Sequence, residues 1–327
     1  MQTHTPPPAT MHALLIRRFG GPEVVEFAEV PVPEPHDGEL LLKVEAASLN
    51  PVDWKIRSGK YPVVREGQLP YVLGRDISAT VVKSDEAALP PGTLVHGLLD
   101  PAHGGFAQYT IARADQLARV PGALDRIAAA AVPLAALTAW QGLFDHGGLQ
   151  AGQRVLIHAG AGGVGHFAVQ FAKARGAYVV TTVSSDDVDF ARSLGADEVI
   201  DHTKERFETK LRDIDLVHDL IGGETQEHSW SVLRKGGVLV STVAEPSRDK
   251  ADAIGVRGVR YTAQPNADQL REIDALIQSG KVRPLVSRKY AFGDAKEALR
   301  SLEEGHGSGK LVLDLASSIA DFPDPLQ

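Results

Sequence analysis

Arg154-Val-Leu-Ile-His-Ala-Gly-Ala-Gly-Gly-Val-Gly165 decides how this chain folds. A short apolar strand runs into closely spaced glycines, and the helix-periodic segment 164–175 follows. The spacing assigns Gly160 to a tight turn, Gly162 to close approach by a pyrophosphate, and Gly165 to close packing of helix on strand. The amides opening that helix, from Gly160, Ala161 and Gly162 through Gly163, Val164 and Gly165, then bind a diphosphate without any cationic side chain. Glycine-rich turns alone are common. The strand before this one and the helix after it favour nucleotide binding over a plain structural turn.

Beyond Gly152 the pattern alternates. Strands are expected at 154–159, 178–183, 198–200, 216–220, 238–243 and 259–263. Helices fit at 164–175, 187–194, 225–233 and 268–279. This alternation implies a parallel, doubly wound α/β sheet with its ligand at the carboxyl ends of the strands. Upstream, short alternating segments at 13–17, 39–46, 77–83, 93–98 and 107–112 are punctuated by Gly and Pro, which suggests a compact β-rich unit, closed or nearly so. The alanine-rich stretch 127–143 favours helix and is interrupted by Pro133. From Arg283 the tail returns to strand, helix and strand at 285–292, 294–303 and 311–315. The expected division is therefore a disordered leader at 1–10, a discontinuous β-rich domain at 11–126 and 281–327, and a nucleotide-binding domain at 127–280.

At 327 residues the chain exceeds one ordinary core, which agrees with two domains. With 34 basic and 42 acidic residues, its net charge of -8 opposes nucleic acid or an anionic membrane as partner. No run approaches ~18 apolar residues, the length of a membrane span. Absence of cysteine excludes disulfides, thiolate chemistry and every zinc site that needs sulfur, and fits a reducing cytoplasm, the expected location. Histidines 158, 166, 202, 218 and 228 lack ligand spacing, and His12, His36, His96 and His103 are isolated, so no metal site is expected.

A carboxylate about 20 residues past the glycines usually marks a site for NAD. Here the second strand ends in Ser184-Ser185, two hydroxyls that leave room for a 2′-phosphate, so NADPH is the expected cofactor. Asp186 and Asp187 follow, and read as capping and first-turn charge for the next helix.

Several motifs occur together in order: Phe19-Gly-Gly-Pro-Glu23, Ala47-Ser-Leu-Asn-Pro-Val-Asp-Trp-Lys-Ile-Arg57, Leu73-Gly-Arg-Asp76, Gly104-Gly-Phe-Ala-Gln-Tyr109, Pro133-Leu-Ala-Ala-Leu-Thr-Ala-Trp140, the glycine turn, Leu194-Gly-Ala-Asp-Glu-Val-Ile-Asp201 and Gly307-Ser-Gly-Lys310. In these the chain resembles the zinc-independent quinone oxidoreductase branch of the medium-chain dehydrogenase/reductase superfamily, from Met11 to Leu315. The resemblance implies a GroES-like catalytic domain with a Rossmann domain, and metal-free hydride transfer from NADPH to a quinone or an α,β-unsaturated carbonyl. An enoyl-thioester or acrylate reductase on the same scaffold, and a non-catalytic nucleotide-binding protein, are the alternatives.

Within that resemblance Asn50 matches an asparagine held close to the nicotinamide; otherwise it is a turn residue ahead of Pro51. Lys55 lies in the same motif, as a proton donor or as a solvated partner for Asp53. Many relatives carry tyrosine at that position. Thr138 is expected at the nicotinamide, or bonded back to its own helix. His202 stands where relatives commonly have tyrosine beside the adenosine phosphate, or is a surface histidine. Leu220, Ile221 and Gly222, with Thr242 and Val243, end later strands and should flank the ribose and carboxamide. Trp54 and Trp140 line the substrate site or pack a core, and Arg75-Asp76 reads as an internal ion pair. The apolar edge near 259–263 suggests a homodimer.

Overall fold

The computed structural model describes residues 6–305 and 307–316. The chain forms two compact units. One runs to Leu134 and takes in Pro265–Gln278 and the chain from Val286 onward; the other is Ala135–Gln264 with Ser279–Leu285.

The second unit is built on six strands that are all parallel, in the order Glu198–Asp201, Tyr178–Val183, Arg154–His158, Ile214–Asp219, Leu233–Ser241, Arg257–Arg260. Val155, Leu156 and Ile157 are all fully buried, as a strand covered on both faces requires. Leu156, Val180, Ile200, Val217 and Leu239 pack with Phe207 and Trp230 in one core. Strand order reverses between Arg154–His158 and Ile214–Asp219, so a crevice opens there at the carboxyl edge. Sheet and helix placement follow the sequence expectation, with two additions, the short helix Phe207–Lys210 and helix Arg248–Ile254. Helix Arg248–Ile254 was not foreseen, because only Ala251 of it is buried. Its ends carry the usual signals: Ser247 Oγ accepts the Lys250 amide, and Gly255 closes it at φ 66°.

The alanine-rich stretch becomes helix Arg126–Ala130, capped by Asp125, and helix Pro133–Trp140 with proline at its first position. A π-helical turn, Gln141–His146, follows directly. Trp140 is a core residue, its ring edge-on to Phe144 at 4.8 Å and Phe171 at 5.4 Å.

The first unit is β-rich. Strand Glu39–Leu49 is its spine, pairing antiparallel with Asp76–Lys83, Tyr109–Arg113 and the tail strand Lys310–Asp314. A separate three-stranded sheet joins Thr10–Ile16 to Val25–Pro31 and Tyr71–Val72, so Thr10 belongs to a strand. The segment 127–134 and helix Ala267–Gln278 group with this unit, unlike the expected boundaries at 126 and 280. The reason is polar: His96, which looked isolated, is fully buried with Nδ1 3.2 Å from Ala129 O and Nε2 3.0 Å from Asp274 Oδ2. Residues 279–285 belong instead to the parallel-sheet unit. There the Gln170 amide accepts the Arg283 N–H at 2.9 Å and donates to its carbonyl at 3.0 Å. Among the described residues no helix is long and apolar enough to cross a membrane.

Candidate functional site

Three constraints shape the glycine turn of the parallel-sheet unit. Ala159 adopts a left-handed φ of 56°, and its carbonyl accepts the Gly162 amide at 3.0 Å. Gly160 lies inside the turn that this bond closes, and the left-handed residue is the alanine before it. A Cβ on Gly160 would meet Thr181 Oγ1 at 1.9 Å, and one on Gly165 would meet Ala159 O at 2.0 Å. Packing inside the unit demands both glycines. A Cβ on Gly162 would meet Ala159 O at 3.3 Å, a close contact but a much milder one than at Gly160 or Gly165. His166 steadies the turn as a neutral imidazole: Nδ1 donates to Gly162 O at 3.0 Å, and Nε2 accepts the Leu285 amide at 3.2 Å. Helix Gly165–Ala174 follows directly, its His166 and Phe167 amides bonded to Gly162 O at 3.0 Å and Val164 O at 3.2 Å.

The opposite side of the crevice hangs on Asp219, a residue that sequence reasoning passed over. It is fully buried at the end of its strand. Oδ1 accepts the Ile221 and Gly222 amides at 3.0 and 2.8 Å, while Oδ2 accepts Ser241 Oγ at 2.8 Å and Gln226 Nε2 at 2.9 Å. Ser241 Oγ in turn accepts the amides of Val243 and Ala244. One carboxylate therefore fixes both turns that carry the expected contacts Leu220, Ile221, Thr242 and Val243. The available signal was a lone acid closing an apolar strand ahead of Gly222-Gly223. Ile221 is 50% exposed and Val243 37%, two of the four large hydrophobic side chains left exposed among the described residues. Both side chains are held outward on turns that Asp219 fixes.

Beside the turn lies a cavity of about 280 Å³ lined by Ala159, Thr182, His202, Ile221, Thr225 and His228, among others. His202 is exposed at it. His158 beneath is fully buried, with Thr182 Oγ1 and Ser229 Oγ at its two nitrogens. Burial pushes its pKa down to about 4 against the pull of Asp219, so it stays neutral. Ser184 donates to Asp187 Oδ2 at 2.9 Å, and Ser185 donates to Asp201 Oδ2 at 2.6 Å. Asp187 occupies the N-cap position of the next helix, yet makes no side-chain cap bond there. Lys204, 2.8 Å from Asp201, and then Ser185 and Thr203 hold the Asp201 carboxyl well below the usual carboxylate range. A cation thus reaches this corner from the neighbouring strand, where the sequence showed none after its own.

In the β-rich unit, Asn50 opens the short helix Pro51–Arg57 and is almost fully buried. Its Nδ2 donates to Asp76 Oδ1 at 2.8 Å and to Ser48 O at 3.1 Å, while its Oδ1 accepts from Lys310 Nζ. Both amide hydrogens are committed inward. Its backbone N–H is taken by Asp53 Oδ2 at 2.7 Å. Lys310, met in the sequence only as part of a motif, is the buried lysine of this unit at 3% exposure; Lys55 is half-buried, with Nζ 5.7 Å from the Trp54 ring centre. Arg75 donates to Leu99 O at 2.8 Å, whereas Asp76 takes Ser48 Oγ, Asn50 and the Leu134 amide. The ion pair expected between those neighbours is thus replaced by an attraction of Asp76 for Lys310. Burial raises Asp76 and lowers Lys310. Asp53 is pushed up to about 7, by burial first and by Asp76 second, against the Asn50 N–H, Lys310 and Arg75.

Among the described residues no group of three His, Asp or Glu side chains is arranged to hold a metal ion.

A parallel-sheet crevice with a glycine turn, carried with a β-rich unit of antiparallel strands, defines a dinucleotide-dependent oxidoreductase. Residues 36–122 match the family described as alcohol dehydrogenase GroES-like domain, and residues 194–313 match zinc-binding dehydrogenase. The chain is 36% identical to the chloroplastic NADPH-dependent alkenal/one oxidoreductase of Arabidopsis thaliana, over 94% of this chain and 80% of that one. It is 31% identical to the mitochondrial NAD(P)H oxidoreductase RTN4IP1 of Danio rerio, over 93% and 91%. The solved quinone oxidoreductase from Coxiella burnetii superposes with a TM-score of 0.87 at 35% identity, over 94% and 99%. The protein belongs to the zinc-independent quinone oxidoreductase branch of the medium-chain dehydrogenase/reductase superfamily. It is an oxidoreductase.

The same comparison corrects the expected cytoplasmic location, since the two relatives named above, matched over 94% and 93% of this chain, are chloroplastic and mitochondrial proteins. A chain without cysteine forms no disulfide in any compartment, so its composition never favoured the cytoplasm over an organelle interior.

Two outcomes check the site. Gly165→Ala forces a methyl group against Ala159 O and should cost about 1–3 kcal/mol of stability, read as a lower Tm. Gly162→Val should leave Tm nearly unchanged yet remove the rise in Tm that NADPH gives the wild type; a retained rise would contradict the assignment. For Asp53, a raised folded-state pKa means the folded chain binds the extra proton between the unfolded value of about 3.9 and about 7. Stability from this group therefore falls as pH rises through that window. Asp53→Asn should raise Tm near pH 8 and lose the advantage near pH 4; a pH-independent difference would show that the carboxyl is not held protonated.

Proposed function

We propose that the protein reduces a quinone, or the C=C bond of an α,β-unsaturated carbonyl, using NADPH. The observation that carries this is the crevice itself: a glycine turn whose central member, Gly162, is the least enclosed of Gly160, Gly162 and Gly165, with two exposed apolar side chains on turns locked by Asp219. These residues fit a dinucleotide. When bound, the reduced nicotinamide supplies the hydride. The turn Gly160, Ala161, Gly162, Gly163, Val164 and Gly165 receives the diphosphate, held by those of its backbone amides not already bonded within the unit; the Gly160 and Gly162 amides are engaged by Thr182 O and Ala159 O. Ser184, Ser185 and His202, with Lys204, receive the adenosine end and its 2′-phosphate; Lys204 favours NADPH and Asp201 limits the preference. Ile221 and Val243, with Leu220 and Thr242, press on the ring and ribose, and Thr138 bonds the carboxamide.

On the acceptor, negative charge grows on oxygen as hydride arrives. A single positioned donor there is worth ~2.7–4 kcal/mol of barrier. Lys55 is our choice for that donor, because it carries a proton to give and is a partly exposed residue, whereas Asn50 is almost fully buried. Asn50 then frames the site as a rigid part of the wall.

NADPH oxidation followed with 1,4-naphthoquinone, trans-2-hexenal and crotonyl-CoA, in a chelator, tests the reading. Turnover of the quinone or the alkenal is expected, with crotonyl-CoA the poorest acceptor. Turnover of the thioester alone, or none without added divalent ion, would contradict it. We also propose a homodimer, joined through the edge strand Arg257–Arg260 of the parallel sheet; sedimentation as a single monomeric species at micromolar concentration would refute that.

A further inference from the structure

The π turn Gln141–His146 has a polar support inside the parallel-sheet unit that the cofactor contacts do not use. It directly follows the helix bearing Thr138, and widens the hydrogen-bond step to five residues, as from Gly147 N to Gly142 O at 3.0 Å. Tyr261, just past the last strand, donates its hydroxyl to Thr138 O at 2.7 Å, a donor from outside the helix. The same oxygen lies 2.8 Å from His218 Nε2. Since the hydroxyl proton goes to Thr138, the imidazole must donate at Nε2, which leaves Nδ1 unprotonated and without a partner. Burial pushes His218 down to about 4, so this tautomer is the neutral one over the working range.

The approach is closely fitted. A Cβ on Gly142 would stand 2.2 Å from Tyr261 Oη and 2.6 Å from His218 Nε2, so glycine is what lets the π turn close on the pair. Three residues on, Gln264 exchanges hydrogen bonds with the Gln141 amide, at 2.9 Å in each direction. Tyr261 N in turn donates to Ser241 O at 3.0 Å, next to the turn that carries Thr242 and Val243. Tyr261 thus touches the supports of both proposed nicotinamide contacts, by its hydroxyl at Thr138 O and by its backbone N–H at Ser241 O.

We infer that Tyr261 is a positioning residue for hydride transfer: its hydroxyl, aimed by His218, fixes the Thr138 carbonyl and hence the placement of Thr138 at the nicotinamide carboxamide. This rests on the cofactor reading above. The diphosphate grip lies on a different segment, so placement and affinity separate. Tyr261→Phe keeps the ring and its contact with His146 at 4.8 Å and removes only the oxygen.

The test compares wild type with Tyr261→Phe and Gly142→Ala, using NADPH fluorescence and 1,4-naphthoquinone turnover with NADPH deuterated at the transferred position. Wild type should shift the emission of bound NADPH. In Tyr261→Phe the Kd for NADPH should stay within about three-fold, while kcat falls about ten-fold, the isotope effect on kcat grows and the emission shift shrinks. Gly142→Ala should give the same signature with every hydroxyl in place, because its methyl displaces Tyr261 Oη. If Tyr261→Phe merely melts earlier, with kcat, isotope effect and emission unchanged, the hydroxyl is structural only and the inference fails while the cofactor reading stands. A wild type that leaves NADPH emission unaltered overturns both.

Discussion

A crevice exists in this protein because six parallel strands reverse their order between Arg154–His158 and Ile214–Asp219, and helices cannot cover the sheet edge at that point. Everything proposed about chemistry depends on how the two walls of that crevice are held. On one side the hold is steric: Gly160 and Gly165 permit contacts that any Cβ would break. On the other it is electrostatic, through a buried carboxylate that gathers four donors from three segments. Asp219 meets the usual condition for a buried charge, which is that its lone pairs be occupied by hydrogen bonds. The outcome is two rigid turns whose apolar side chains project outward with nothing of their own to cover them.

The β-rich unit uses buried charge differently. Asp53, Asp76 and Lys310 are all nearly or fully buried around Asn50, and their pKa values move toward neutrality under desolvation. Removing Asp76 or Lys310 would leave the other uncompensated, so that pair tolerates substitution poorly even when its net contribution to stability is small. Their effect is to fix one amide side chain in one orientation. That leaves Asn50 no amide hydrogen to offer a ligand.

Much of this was legible in the sequence because it depends on local rules. The glycine turn with its strand and helix is a contiguous pattern, and the alternation after Gly152 reports a parallel sheet whatever the packing details. What stayed hidden depends on segments far apart in the chain. Lys310 is 260 residues from Asn50, and Tyr261 is 123 from Thr138. His96 looked isolated because its partner, Asp274, lies 178 residues away. Local reading also erred where two neighbours part company, as Arg75 and Asp76 do, and where a helix such as Arg248–Ile254 has too little apolar surface to announce itself.

The central claim is that this crevice grips a phosphorylated nicotinamide cofactor through backbone amides. Calorimetric titration of the wild-type protein with NADPH and NADH, side by side, addresses it most directly. One NADPH per chain should bind with a Kd on the order of micromolar, and NADH more weakly by about ten-fold, or about 1.4 kcal/mol. Heat from neither nucleotide would contradict the account.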